Sequence, residues 1–323
     1  MIAPVEIAGF GRSLPEKVVT NTDLEKIVDT SDEWIVKRTG IRQRHIATEE
    51  TAISMGADSA AKALKMSGID KDQIGLIVGC TFTSDYATPA MASFVAKALD
   101  IECATMDVYA GCTGFVTAMI TAGSMMDSLG LEAAIVVASE TLSRCTDWTD
   151  RSTCVLFGDG AGAIVLQRSE KPHLHYPVLS GVPDVEDVLF APRRKVSTPF
   201  HQYDDAKDGC INMNGREVFT YAVGAVEDTL RKMQEMCGDK PYTKVIPHQA
   251  NAKIIGYAAR ATGLKKASVF VNIDKYANTS SATIPIAICD AHAQGWLKAG
   301  DRVAFVGFGS GLSCGGIVID WTI

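Results

Sequence analysis

The stretch Met106-Asp107-Val108-Tyr109-Ala110-Gly111-Cys112-Thr113-Gly114-Phe115 decides how this chain is read. A strand-like run leads into a turn of small residues that carries one cysteine, and a helical run continues to Met126. A strand–turn–helix unit of this kind sets the thiol over the first turn of a helix. Unpaired N–H groups and the helix dipole favour negative charge there. A thiol so placed is expected to have its pKa lowered to roughly 3.5–7.5. Gly111 and Gly114 permit a tight turn and close approach of a substrate. Taken locally, Cys112 fits a nucleophile, and it also fits a buried structural cysteine.

Composition narrows the setting. The chain has 323 residues, 47% hydrophobic and 21% charged, enough for a large core or two fused ones. Its formal net charge of −7, with no basic tract, argues against nucleic acid as a partner. Met1-Ile2-Ala3-Pro4-Val5-Glu6 lacks the charged-then-apolar pattern of a signal peptide, and no apolar run is long enough to span a bilayer. A cytoplasmic protein with no membrane partner is expected. The nine cysteines are odd in number and include no C-x-x-C pair, which speaks against a disulfide framework and a zinc site. His173-x-His175 is the one close histidine pair, and no third ligand accompanies it. Neither a metal nor a cofactor is expected.

Along the chain, Thr30 and Glu33 have the spacing of a capping box, which puts Trp34 and Arg38 on one helical face. An aromatic plane beside a guanidinium suits a nucleotide's base and phosphate. An amphipathic helix is predicted over 51–67, and buried strands over 74–80 and 133–140. Pro89 is predicted to open a helix. Gly158-Asp159-Gly160-Ala161-Gly162 imitates a dinucleotide fingerprint, but a strand follows it and not a helix. Residues 171–212, with Arg193-Arg194-Lys195 and Asp204-Asp205, read as a connection and loops over a site. A long helix is predicted from about Arg216 to Cys237, then a short strand ending in Pro247-His248-Gln249-Ala250-Asn251, a helix, and a strand-like run over 269–273. Asn278-Thr279-Ser280-Ser281-Ala282 opens another helix, and strands over 302–307 and 316–321 close the chain.

The halves echo each other. Ala161-Gly162-Ala163-Ile164-Val165-Leu166 compares with Cys314-Gly315-Gly316-Ile317-Val318-Ile319, strand 74–80 with 244–247, and the turn at Cys112 with the turn at Asn278. If the halves, 1–172 and 173–323, pack about a pseudo-two-fold axis, Cys112 and Asn278 face one another. His248 then joins them from the C-terminal end of its strand.

Together these motifs resemble beta-ketoacyl-ACP synthase III of the thiolase superfamily. The supporting segments are Ser31-Asp32-Glu33-Trp34-Ile35, Arg38-Thr39-Gly40-Ile41-Arg42, Phe157-Gly158-Asp159-Gly160-Ala161-Gly162-Ala163 and Met213-Asn214-Gly215-Arg216-Glu217-Val218-Phe219. The resemblance covers nearly the whole chain, least closely over 171–210. It implies an α/β thiolase fold, two pseudo-symmetric βαβαβαββ halves in five αβαβα layers, and a homodimer. The implied reaction is a ping-pong decarboxylative condensation of an acyl-CoA primer with malonyl-ACP. Cys112 would be acylated, and His248 and Asn278 would hold the malonyl thioester carbonyl as carbon dioxide leaves. Backbone N–H groups of Cys112 and Ser310 would form the oxyanion hole. The resemblance further implies that Trp34, Arg38 and Arg151 bind CoA, that Gly215, Phe219 and Asn251 line the pantetheine tunnel, and that Leu142 and Phe157 wall the acyl pocket. Lys253, Arg260, Lys265 and Lys266 would dock the acidic carrier protein.

Departures from the family pattern are specific. Thr220 and Ala261 stand where lysines are common, Ala277 replaces a glycine before Asn278, and Ser310 interrupts a glycine triplet. Thr88 stands where many relatives have a phenylalanine that caps the partner subunit's acyl pocket, so primers longer than acetyl are expected. A Cys-His-Asn thioesterase would need the histidine as a base and a path for water. A thiolase proper would need its second cysteine before the glycine turn, and Cys314 comes after it. A hydroxymethylglutaryl-type synthase would need a glutamate near Cys80-Thr81, where the sequence has none. The alternative kept open is a secondary-metabolite condensing enzyme that takes a CoA-linked extender. A non-catalytic binding protein is at odds with all three catalytic residue types being present.

Overall fold

A computed structural model describes residues 4–193, 197–199 and 209–323, apart from the side chains of Ala258 and Ala261. Arg194, Lys195, Asp204 and Asp205 thus lie outside the described residues. The apolar runs form two sheets. One holds β1 (Val5–Ser13), β2 (Ile74–Cys80), β3 (Ala104–Val108), β4 (Ala133–Thr141) and β5 (Asp159–Arg168), in the order β1-β5-β4-β2-β3. The other holds β6 (Leu174–Gly181), β7 (Lys244–Pro247), β8 (Arg302–Gly309) and β9 (Ser313–Asp320), in the order β7-β8-β9-β6. In the first, β4 is antiparallel to β5 and parallel to β2. In the second, β8 is antiparallel to β9 and parallel to β7. One topology therefore occurs twice.

The helices that matter for the site are α1 (Asp32–Thr39), α2 (Ala52–Ser67), α3 (Met91–Leu99), α4 (Gly114–Leu129), α5 (Gly215–Cys237), α6 (Ala252–Ala261) and α7 (Thr283–Ala293). Helices α4 and α7 are apolar around most of their surface, as a helix covered on both sides must be. They lie between the sheets, where Phe115, Met119, Ile284 and Ile288 pack with Val136 and Ile317. Each such fully buried side chain contributes about 1.5–3 kcal/mol. Helices α2 and α3 cover the outer face of the first sheet through Ala60 and Val95. Helices α5 and α6 cover the second through Leu230 and Ile255. The result is five layers, αβαβα, and the two central helices both begin where the sheets meet.

Four local expectations change. Ser31, not Thr30, caps α1, its hydroxyl accepting the Trp34 N–H at 3.2 Å. Helix α3 begins at Met91 and not at Pro89, because the Asp107 carboxylate accepts the N–H groups of Met91 and Ala92. That cap comes from another strand and has no local signature. Residues 269–273 make one bridge, Val245 with Val269, and then turn into a short helix, Ile273–Tyr276. Within the supposed connection, Leu174–Gly181 is the edge strand β6, paired among the described residues with β9 alone. An edge position tolerates Pro177, which disguised the strand.

Candidate active site

Three turns meet where α4 and α7 begin. Cys112 sits in a tight 3-10 turn, Gly111–Thr113, just ahead of α4. Gly111 has φ +50°, and a Cβ there would lie 2.4 Å from the Ser310 hydroxyl, so both conformation and space call for glycine. Across the turn runs the end of β8: a Cβ on Gly309 would come within 2.7 Å of the Cys112 Cβ. Ser310 follows directly, beside the nucleophile turn. His248 comes off the end of β7, its N–H donating to Val306 O at 2.8 Å, and is almost fully buried against the edge of Phe308. Burial pushes its imidazole pKa down to about 3, so the ring is neutral. Asn278 is clamped by its backbone, donating to Leu156 O and accepting from the Gly158 N–H, both at 3.0 Å. Its Oδ1 accepts the Ser280 N–H at 2.8 Å, which leaves the Nδ2 amide as the donor that can face the cavity. All three side chains line one cavity of about 800 Å³.

The thiol's expected acidity does not hold. The pKa of Cys112 is raised to about 11, first by burial, while the Ser280 hydroxyl donating to Sγ at 3.4 Å opposes the rise and the Glu140 carboxyl adds to it. The helix start is a local feature that the sequence reveals. The desolvation comes from the opposing half of the molecule and outweighs it. The resting group is therefore a thiol. Alkylation of Cys112 by iodoacetamide, followed by peptide mass spectrometry, should accelerate about tenfold per pH unit from about pH 7 to 9 as the thiolate fraction grows. A plateau already reached near pH 7 would reinstate the low-pKa reading.

Other expected residues fall in three groups. At the mouth, the Arg151 and Arg38 guanidinium groups lie 4.7 and 5.5 Å from the Trp34 ring centre. Arg151 also donates to Asp29 O and stands just outside the cavity lining. Gly215, Phe219, Asn251 and Lys253 line the shaft, with Asn251 Nδ2 donating to Arg38 O at 3.3 Å. At the inner end, Leu142 and Phe157 pack with Ile211, Phe82 and Leu189 into an apolar wall. Two residues lie elsewhere. Thr88 is exposed and does not line the cavity of its own chain, and Arg260 stands off the rim with its guanidinium 4.3 Å from the Tyr257 ring centre. Ala277 adopts φ +57°, ψ −155°, a conformation suited to glycine that costs alanine about 1–3 kcal/mol. This fits the glycine that the resemblance implies at that position.

Several participants had no individual signal in the sequence. Ser280, at φ +49°, bonds the thiol of Cys112 and the side chain of Asn278. Thr283 Oγ1 lies 2.6 Å from His248 Nδ1. Arg216 joins the basic rim. Glu140 supplies the carboxylate that the sequence lacks near Thr81. Its buried group, pKa raised by burial, accepts from the hydroxyls of Thr81, Thr83 and Ser281 and from the Phe82 N–H. It does not line the cavity, so the fold supplies the glutamate without making it an acid or base for a substrate. Cys314 is buried in β9, bonded to the Thr229 hydroxyl at 3.2 Å and turned toward α5, away from the site. His175 pairs with Asp320 at 2.9 Å, and the described residues contain no cluster suited to a metal ion.

The chain is similar to known proteins along nearly its whole length. The family model described as 3-oxoacyl-(acyl-carrier-protein) synthase III matches residues 106–179, and that for its C-terminal part matches residues 239–321. The chain is 42% identical to a beta-ketoacyl-(acyl-carrier-protein) synthase III of Clostridium acetobutylicum, over 98% of this chain and 99% of that protein. It superposes on the crystal structure of the Aquifex aeolicus 3-oxoacyl-(acyl-carrier-protein) synthase III with a TM-score of 0.90 at 40% identity, over 98% of this chain and 100% of that one. The priming beta-ketosynthase of a polyketide pathway matches with the same TM-score at 31% identity, over 99% of this chain and 97% of that one. With the turn at Cys112, the histidine after β7 and the asparagine before α7 in place on a thiolase fold, the chain belongs to the beta-ketoacyl-ACP synthase III family of acyl-transferring condensing enzymes.

Proposed function

We propose that this protein condenses an acyl-CoA primer with malonyl-ACP to give 3-oxoacyl-ACP, carbon dioxide and CoA, the initiating step of fatty acid synthesis. The observation that carries this reading is the convergence of Cys112, His248 and Asn278 inside one cavity whose mouth is basic and aromatic and whose inner end is apolar. In the first half-reaction the Cys112 sulfur attacks the primer thioester, a new C–S bond forms, and CoA leaves as a thiol with the proton that Cys112 gives up. The N–H groups of Cys112 and Ser310 hold the oxyanion. In the second, the malonyl C–C bond breaks and its electron pair moves into an enolate held by N–H donors of His248 and Asn278. The carbanion then attacks the acyl-cysteine: a C–C bond forms, the C–S bond breaks, and the departing sulfur takes up a proton from solvent to restore the thiol. Loss of carbon dioxide generates the carbanion without removing a C–H proton, so a neutral histidine suffices.

Trp34, Arg38 and Arg151 would hold the nucleotide of CoA, with Gly215, Phe219 and Asn251 along the pantetheine. Lys253 and Arg260, joined by Arg216, would receive the acidic carrier protein. The halves 1–172 and 173–323 are proposed as the two structural units. A homodimer is proposed because β3 pairs with β2 alone among the described residues, leaving an edge open to a second copy. Nine cysteines, an odd number with no C-x-x-C pair, fit a reducing cytoplasm. No helix of the described residues is long and apolar enough to cross a membrane.

In such a dimer Thr88, smaller than phenylalanine, would leave the partner's acyl pocket long. Carbon dioxide release from malonyl-ACP, measured with acetyl- through dodecanoyl-CoA, is expected to continue well beyond butyryl-CoA. Activity confined to the shortest primers would overturn the pocket reading. Absence of release with every primer would overturn the function.

A further inference from the structure

Phe82 lies two residues past the end of β2, in a stretch, 81–90, that belongs to no strand or helix. It is half-buried, lines the cavity, and packs against the buried cluster of Leu142, Phe157 and Ile211. It also stands close to the chemistry. Cys80, the last residue of β2, abuts the start of α4, where a Cβ on Gly114 would lie 3.1 Å from the Cys80 Cβ. Phe82 therefore flanks the first carbons of a primer held on Cys112, whereas Thr88 bears on the far end of the pocket.

A side chain takes the place of a sheet partner here. The fully buried Glu140 carboxyl accepts the Phe82 N–H at 3.2 Å through Oε2, and the same oxygen lies 3.1 and 2.7 Å from the hydroxyls of Thr81 and Thr83. An N–H can only donate, so the bond to Phe82 does not depend on the protonation of Glu140. Thr83 is fixed from the other side by the Thr141 N–H, at 2.9 Å from its hydroxyl oxygen. The second carboxyl oxygen, Oε1, lies 2.7 Å from the hydroxyl of Ser281, the neighbour of Ser280 and its contact with Cys112. Leu142, on the wall that Phe82 packs against, follows two residues after Glu140. One buried carboxyl thus sets Phe82 relative to both the wall and the nucleophile.

We propose that Phe82 is a specificity-determining residue that limits the width of the primer next to its thioester, and that Glu140 is the positioning residue that holds it there. This rests on the condensation reading above.

The test compares isobutyryl-CoA, branched at the carbon next to the thioester, with straight butyryl-CoA of the same carbon number. The rate of acyl-enzyme formation is followed by intact-mass spectrometry. In Phe82→Ala the branched-to-straight ratio should rise about tenfold over the wild type, the lower end of what a pocket wall discriminates. Glu140→Ala should raise the ratio in the same direction. Glu140→Gln should return it to the wild-type value, because its amide oxygen can accept the Phe82 N–H while its amide N–H faces the Ser281 hydroxyl. A merely structural role would slow both primers alike. A ratio within about threefold of the wild type in Phe82→Ala, equal losses for both primers in a folded Glu140→Ala, or a Glu140→Gln ratio as altered as that of Glu140→Ala would each overturn the proposal. Should Glu140→Ala not fold, Glu140→Asp, which draws the carboxyl one methylene back from the Phe82 N–H, is judged by the same criterion. Carbon dioxide release from malonyl-ACP is measured on the wild type alongside. Its absence would overturn the functional reading, while the acyl-enzyme ratios would still decide the role of Phe82.

Discussion

Cys112→Ala is expected to abolish the acyl-enzyme seen by intact-mass spectrometry after exposure to acyl-CoA, and to lower condensation by about 10⁴-fold or more, the scale on which covalent nucleophiles act. That is about 5 kcal/mol of lost transition-state stabilisation. The change should leave the fold intact. It removes one sulfur atom whose partner in the structure is the Ser280 hydroxyl, and the turn keeps its glycine at 111 and the Thr113 N–H bond to Ala110 O at 3.1 Å. Thermal unfolding within a few degrees of the wild type would confirm this. The variant also separates two chemistries. His248 and Asn278 do not need the thiol to hold an enolate, so slow release of carbon dioxide from malonyl-ACP should persist in Cys112→Ala. A Cys-His-Asn thioesterase would lose all turnover and would never have released carbon dioxide. An unchanged adduct on Cys112→Ala would refute the nucleophile assignment. A variant that makes no adduct and releases no carbon dioxide, while still folded, would show that the thiol also orders the second half of the site.

How much of this site the sequence discloses depends on the range of each signal. The turns at Cys112 and Asn278 and the histidine after β7 are legible because small-residue turns between apolar runs announce strand–turn–helix units, and the internal repeat sets two of them opposite each other. The Trp34–Arg38 pair is legible from helical spacing alone. What is not legible depends on partners far along the chain. Asp107 caps a helix that begins at Met91, and Glu140 reaches Thr81, across 16 and 59 residues. Neither pairing leaves a local pattern. The acidity of Cys112 fails for the same reason: the helix start is local, the desolvation is tertiary, and burial wins. Ser280 lies inside a recognised motif, yet its task follows from a positive φ that composition cannot encode. Strand β6 was hidden by Pro177 because edge strands are exempt from the rules that make central strands readable.

Gly309 presses directly on the nucleophile, and Gly309→Ala is expected to cost about 10²-fold in kcat/KM while the protein stays folded. A Cβ at this position would stand 2.7 Å from the Cys112 Cβ and 3.2 Å from both its N and its Sγ. The first distance is below any that real Cβ atoms keep, so one side must move. The Cys112 turn cannot retreat, because a Cβ on Gly114 behind it would already lie 3.1 Å from the Cys80 Cβ and 3.3 Å from the Ser281 Cβ. The end of β8 can retreat only by carrying Ser310, the proposed oxyanion donor, away from the reacting carbon. Either shift spoils a geometry in which displacements of about 1 Å cost about 10²-fold. Neighbouring glycines give a less clean answer. Gly111 and Gly311 have φ of +50° and +135°, so a side chain there would strain the backbone as well as crowd the site. Gly309 lies in a strand with its φ outside that region, and alanine suits its backbone. The variant therefore tests contact alone. Condensation kinetics, iodoacetamide reactivity at Cys112 and thermal unfolding should be measured together. Loss of condensation with an unfolding temperature within a few degrees of the wild type is expected, and it fits the close packing of β8 on the nucleophile. Activity within about threefold of the wild type would mean that the turn yields without loss, and that the glycine at 309 does not set the position of Cys112.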